Sequence, residues 1–183
     1  MNKTKNKNLC VFCGSKNGRD ISYSVFSQKV GKELAKRNIG LVYGGGNIGL
    51  MGDISNEVLK YNGKVTGVIP EFMRDKELAN NGITELIVVN TMHDRKFKMT
   101  ELSDGFIVLP GGIGTMDEFF EIWTWTQLGL ISKPIGIMNY KGFYDPLKEF
   151  IDKLNSEGFL SERTLELVSW GDKIEILLDE MGF

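Results

Sequence analysis

The stretch LPGGIGTMDEFFEIW, Leu109 to Trp123, carries three glycines within four residues and then two adjacent carboxylates, Asp117 and Glu118. Glycines in such a turn let backbone N–H groups approach a ligand closely, and a helix starting there adds the positive end of its dipole. Phosphate is the ligand that this combination suits. Gly111, Gly112, Gly114 and Thr115 are therefore candidate phosphate contacts, with the Thr115 hydroxyl as helix cap or further donor. Acids on a first helical turn are favoured by the dipole alone, by about half a kcal/mol. Beside a bound phosphate they would be repelled. Their placement makes chemical sense if one points past the phosphate toward a sugar, where a carboxylate holds hydroxyls or stabilises developing positive charge. Glu118 is the candidate for that task, and Glu121, one turn further on, is a second on the same face.

Two more loops are rich in glycine: CGSKNG from Cys13 and GGGNIGLMG from Gly44. Turn geometry would explain any one of them. Together they mark one sheet edge as an anion site. No G-x4-G-K-[ST] motif occurs, so nucleoside triphosphate hydrolysis has no support. Gly44, Gly46 and Gly49 do match G-x-G-x-x-G, with Glu71 placed 22 residues beyond Gly49. An NAD(P)- or nucleotide-binding protein without hydrolase activity is thus a standing alternative, although this motif follows the second strand instead of the first. In the segment TMHDRKFKMTELSDG, Thr91 and Asp94 form a capping-box pattern with Asp in place of Glu. That puts His93, Arg95 and Lys96 in a first helical turn, where cations oppose the dipole. They form either a solvated basic face or, for Arg95 and Lys96, cationic contacts to a phosphate or a transition state.

Short apolar runs alternate with longer segments of helical period, the pattern of a parallel sheet covered by helices on both faces. Strands are predicted at Leu9 to Cys13, Gly40 to Tyr43, Lys64 to Ile69, Ile83 to Val89, Gly105 to Leu109 and Pro134 to Met138. Helices are predicted near Tyr23 to Arg37, Ile48 to Tyr61, Met92 to Leu102, Thr115 to Leu128, Pro146 to Ser156 and Lys173 to Glu180. The fold class is α/β: a Rossmann-like doubly wound parallel sheet in a single domain over residues 9–183, after a flexible polar tail at 1–8. Ligands of such sheets bind outside the carboxyl ends of the strands, where the glycine loops lie.

With 22 basic and 24 acidic residues the net charge is -2, which favours a small-molecule ligand over a nucleic acid or a membrane. No apolar run is long enough to span a bilayer, so a soluble, cytoplasmic protein is expected. Cys10 and Cys13 form a C-x2-C, but strand residues three apart point to opposite faces, and His93 is the only histidine. No metal site is expected.

PGGIGTMDE, MHDRK, GGGNIGLMG and FCGS together resemble the Lonely Guy family of cytokinin-activating phosphoribohydrolases, formerly labelled lysine decarboxylases. The resemblance implies hydrolysis of the N-glycosidic bond of a nucleoside 5'-monophosphate, AMP or an N6-modified AMP, to free base and ribose 5-phosphate. It implies no cofactor. By the same resemblance Arg95 and Glu118 are catalytic. Gly111, Gly112, Gly114 and Thr115 bind phosphate, and the loop Gly44, Gly45, Gly46 lines the nucleotide pocket. Ser15 and Lys96 join the substrate contacts. The first loop departs from many relatives in carrying Lys16 where they have a second serine or another small residue. The resemblance also implies a homodimer. The run FFEIWTWTQLGL is apolar on too much of its circumference for a solvated helix, so it is either core or subunit interface. A decarboxylase would normally need pyridoxal phosphate, and no cofactor-lysine motif is recognisable.

Overall fold

Alternation along the first strand sets the plan of the molecule. In the computed structural model, which describes residues 6–75 and 78–183, Leu9, Val11 and Cys13 pack into one apolar cluster and Cys10 and Phe12 into another. Both cysteines are buried, on opposite faces, as their spacing predicts.

The elements in chain order are β1 (Asn8–Phe12), α1 (Ser22–Lys36), β2 (Gly40–Tyr43), α2 (Gly49–Lys60), β3 (Val65–Pro70), β4 (Glu85–Val89) and α3 (Met92–Leu102). They continue with β5 (Gly105–Val108), α4 (Ile113–Gln127), β6 (Ile135–Met138), α5 (Asp145–Ser156), α6 (Glu162–Leu165), β7 (Val168–Gly171) and α7 (Ile174–Glu180). The strands form one seven-stranded sheet in the order β4-β3-β2-β1-β5-β6-β7, parallel throughout. Helices α1, α2 and α7 cover one face, through residues such as Val30, Ile54 and Leu177. Helices α3, α4 and α5 cover the other, through Met99, Phe119 and Ile151. This is the doubly wound Rossmann-like arrangement. Chain order runs outward from β1 in one direction and outward from β5 in the other, so the connections diverge between these two strands. A crevice opens there because the loops leaving β1 and β5 go to opposite faces.

The C-terminal third holds two elements that the periodicity does not predict. Strand β7 is VSWG, four residues only, paired to β6 at the sheet edge. Its serine, its glycine and its half-buried side chains give no run of apolar residues to detect. Helix α6 is a single turn, started by Ser161, whose side chain accepts from the Thr164 N–H. It is too short to show a helical period. At the other end, β1 begins at Asn8, so the expected tail overlaps the strand by one residue; residues 1–5 lie outside those described. The polar Asn8 side chain is accommodated because its amide donates to the Leu102 carbonyl at 3.0 Å, while its backbone N–H donates to Asp104 at 2.8 Å. Among the described residues no helix is long and apolar enough to cross a membrane.

The capping box at the start of α3 is formed as predicted. Asp94 N–H donates to Thr91 Oγ1 at 3.0 Å and Thr91 N–H donates back to Asp94 Oδ2 at 3.1 Å. Each bond satisfies a donor that the helix itself cannot. Thr91→Ala should therefore lower unfolding stability by about 1 kcal/mol, read from the urea midpoint, and an unchanged midpoint would show the cap to be dispensable.

Candidate active site

The three glycine loops interlock at the carboxyl ends of β1, β2 and β5. Gly14 N–H donates to the Pro110 carbonyl at 3.1 Å, and Leu50 N–H donates to the Gly14 carbonyl at 3.0 Å. Gly49 adopts φ +60°, and a Cβ there would lie 2.3 Å from the backbone of Ser15 and Lys16. Only glycine allows that crossing. The loop after β1 is thus wedged between the other two, and with the loop after β5 it bounds a cleft of about 450 Å³. The cleft lies at the divergence point between β1 and β5.

One wall is the start of α4. Its first turn is capped by no side chain, Gly112 being the N-cap, so the leading N–H groups have no intrahelical partners. Gly112 and Gly114 have nothing within 4 Å of where a Cβ would stand, whereas a Cβ on Gly111 would fall 2.1 Å from Thr115 Oγ1. Gly111 is therefore small for the protein's own packing, and Gly112 and Gly114 leave open space facing the cleft. Thr115 is buried, its hydroxyl lying over Gly111, and it does not cap the helix. From behind, the Tyr144 hydroxyl donates to the Leu109 carbonyl at 2.7 Å and holds the root of the turn.

Arg95 lines the opposite side, although it is only 4% exposed. Its Nε donates to the Val68 carbonyl at 3.1 Å and its Nη2 to the Gly44 carbonyl at 2.7 Å. A Cβ on Gly44 would lie 2.2 Å from Nη2, so this glycine is needed to let the guanidinium in. Glu118, half-buried on α4, lines the same cleft. Both charges reach the Cys10 thiol beneath: burial first, then the Glu118 carboxylate, push that thiol well above its ordinary pKa, and Arg95 acts in the opposite sense.

Ser15 sits exposed on the cleft wall. Four expected contacts lie elsewhere. Gly44, Gly45 and Gly46 do not border the cleft: Gly44 holds Arg95, Gly45 packs on Ile69 and Leu86, and Gly46 bridges to Ala79. Lys96 is turned to α4, its Nζ 3.2 Å from Asp117 and 2.9 Å from Glu121. Burial opposes its charge, yet the hydrogen bonds to Glu121 and Asp117 hold its pKa above the ordinary lysine value. The G-x-G-x-x-G alternative loses its footing at the same place. The space beside Gly44 is filled by Arg95 and that beside Gly49 by the first loop, while Glu71 is exposed and paired with Arg74 at 3.2 Å. Sequence reasoning missed Tyr23, Met51, Met73 and Phe143 on the cleft wall. They are single residues on separate elements with no motif to flag them.

The family model described as "possible lysine decarboxylase" matches residues 51–181. A rice protein, the cytokinin riboside 5'-monophosphate phosphoribohydrolase LOG of Oryza sativa subsp. japonica, is 45% identical over 166 residues, covering 91% of this chain and 69% of that one. Its Arabidopsis thaliana counterpart LOG3 is 46% identical over 168 residues, with 92% and 78% covered. The chain belongs to the LOG family. Two solved structures share the LOG-family fold at low identity. The molybdenum cofactor binding protein of Rippkaea orientalis has a TM-score of 0.72 at 18% identity, covering 98% of this chain and 97% of that one. The molybdenum cofactor carrier protein of Chlamydomonas reinhardtii has 0.71 at 16%, with 97% of each chain covered. At such identities the likeness concerns architecture only.

The state of Cys10 can be tested directly. In a Cys13→Ser variant, the remaining thiol should resist an aromatic disulfide reagent at pH 8 while the protein is folded and react within minutes once it is unfolded. Rapid reaction of the folded protein would contradict the buried, acid-flanked setting.

Proposed function

We propose that this protein hydrolyses the N-glycosidic bond of a nucleoside 5'-monophosphate, AMP or an N6-modified AMP, to the free base and ribose 5-phosphate. The observation that carries this is the meeting, in one cleft, of an open helix N-terminus, a carboxylate on that same helix and a buried guanidinium from a different element. Identity of about 45% to phosphoribohydrolases over nine-tenths of the chain supports it.

The 5'-phosphate binds the N–H groups that open α4, at Gly112 and Gly114, with Ser15 across the cleft as a further donor. Held there, the phosphate aims the ribose at Glu118. Breaking the C1'–N9 bond sends its electron pair to the base and leaves an oxocarbenium-like sugar. The Glu118 carboxylate stabilises that charge and orients the water whose oxygen adds to C1'. One water proton ends on the base and the other stays on the new C1' hydroxyl. Arg95 supplies a fixed positive charge, preorganised because two backbone carbonyls hold it before substrate arrives. No metal or organic cofactor enters the sequence. The protein acts in the cytoplasm as a homodimer, and the apolar residues exposed along and after α4, Ile113, Leu128 and Leu130, belong to the surface available for pairing.

The test is chromatographic: purified protein with AMP or N6-isopentenyl-AMP, without added metal, should release free base and ribose 5-phosphate. Glu118→Gln should reduce turnover by about 100-fold or more, the order expected for loss of a transition-state electrostatic group. Near-normal turnover in that variant would remove Glu118 from the chemistry. Because the phosphate provides the binding energy that orients the sugar, adenosine should be cleaved with a kcat/KM on the order of 100-fold below that of AMP. Equal rates on the two would refute the phosphate cradle.

A further inference from the structure

Glu118 is flanked on its own helix by Asp117 and by Glu121, one turn on, so three carboxylates crowd one face of α4. Carboxylates four apart on a helix repel, and a partly buried one tends to take up a proton. Glu121 is the more constrained of the two neighbours: its Oε1 meets Lys96, while its Oε2 is buried without a hydrogen-bond partner. The Lys96 ammonium, from α3, is the group that reaches both Asp117 and Glu121, and its side chain is only 11% exposed. Arg95, the preceding residue, carries the guanidinium of the cleft.

We propose that Lys96 is a positioning residue that acts through Glu118. Its ammonium cancels the carboxylate charge on either side of Glu118 and ties α3 to α4, so that Arg95 and Glu118 keep their spacing. It does not touch substrate. The charged and titratable groups around Glu118 are Arg95 and Lys96 from α3, Cys10 from β1, Asp117 and Glu121 on α4, and Lys16 on the facing loop. Of these, Lys96 is the one whose removal leaves two carboxylates without their counter-charge. The inference rests on the hydrolase reading, in which Glu118 works as a carboxylate.

Steady-state kinetics with AMP from pH 5 to 9 tests it. In Lys96→Met, loss of the cation should raise the pH at which Glu118 ionises, moving the acid limb of kcat up by about one pH unit. At the plateau kcat should fall on the order of tenfold, with KM little changed. Lys96→Arg should restore most of the activity. In the double variant Lys96→Met with Glu121→Gln, a charge of each sign is gone, and the limb should return toward its wild-type position. Glu121→Gln alone keeps the question open should Lys96→Met not fold. It removes a negative charge near Glu118 and should move the limb down. A raised KM with unchanged kcat would make Lys96 a substrate contact, and a lowered melting temperature with an unmoved limb would make it merely structural. Either result overturns the proposal. Base release by the wild-type protein with unmoved limbs in the variants sinks only this inference, whereas no base release by the wild type sinks the hydrolase reading as well.

Discussion

A guanidinium buried against two neighbouring parallel strands is the constraint around which the site is arranged. Arg95 is nearly excluded from water, and a buried charge is tolerated only where dipoles or opposite charges compensate it. The carbonyls of Gly44, just past β2, and Val68, within β3, provide that compensation. β2 and β3 must therefore pair with Tyr43 opposite Gly67, which sets the two carbonyls side by side, and α3 must start where its first turn can reach them. The Thr91–Asp94 capping box fixes that start. The glycine at position 44 follows from the same requirement, since any side chain there would stand where Nη2 stands.

The glycine loops divide their labour. The loop after β2 is glycine-rich because protein packs on protein: Gly49 admits the first loop and Gly44 admits Arg95. The loop after β5 does both, with Gly111 yielding to Thr115 and Gly112 and Gly114 opening toward the cleft. In this last loop Gly112 and Gly114 offer a ligand bare backbone on the cleft wall. Two elements meet across the crevice as a result, with cations on α3 and carboxylates on α4. Both helices pack on the same face of the sheet, where Lys96 of α3 meets Asp117 and Glu121 of α4.

Charge is balanced locally on that interface. Arg95 and Lys96, adjacent in the chain, serve different partners: one faces the cleft and two carbonyls, the other Asp117 and Glu121. Successive helical residues lie about 100° apart, so neighbours in sequence need not share a face. The aromatic helix α4 shows the same partition. Phe119, Ile122 and Trp123 are core, the last donating from Nε1 to the Thr164 carbonyl at 3.0 Å, while Phe120 stays partly exposed.

Period and local chemistry made much of this legible in the sequence. Six strands and six helices follow from apolar runs and helical spacing, the α3 start from its capping box, and the phosphate-type turn from PGGIGT followed by Glu118. These are local properties, and local interactions decide them. β7 and α6 were beyond that reach, being too short for any period and held by pairing to β6 and by the Trp123 contact. What Gly44 to Gly46 do, and which way Lys96 turns, were also undecidable from spacing. A glycine reads the same in sequence whether a ligand or a guanidinium fills the space beside it, and a lysine's partner depends on the helix that packs opposite. Only the tertiary structure, by bringing β2, α3 and α4 to one edge, decided that the first is filled by Arg95 and the second by Glu121 and Asp117.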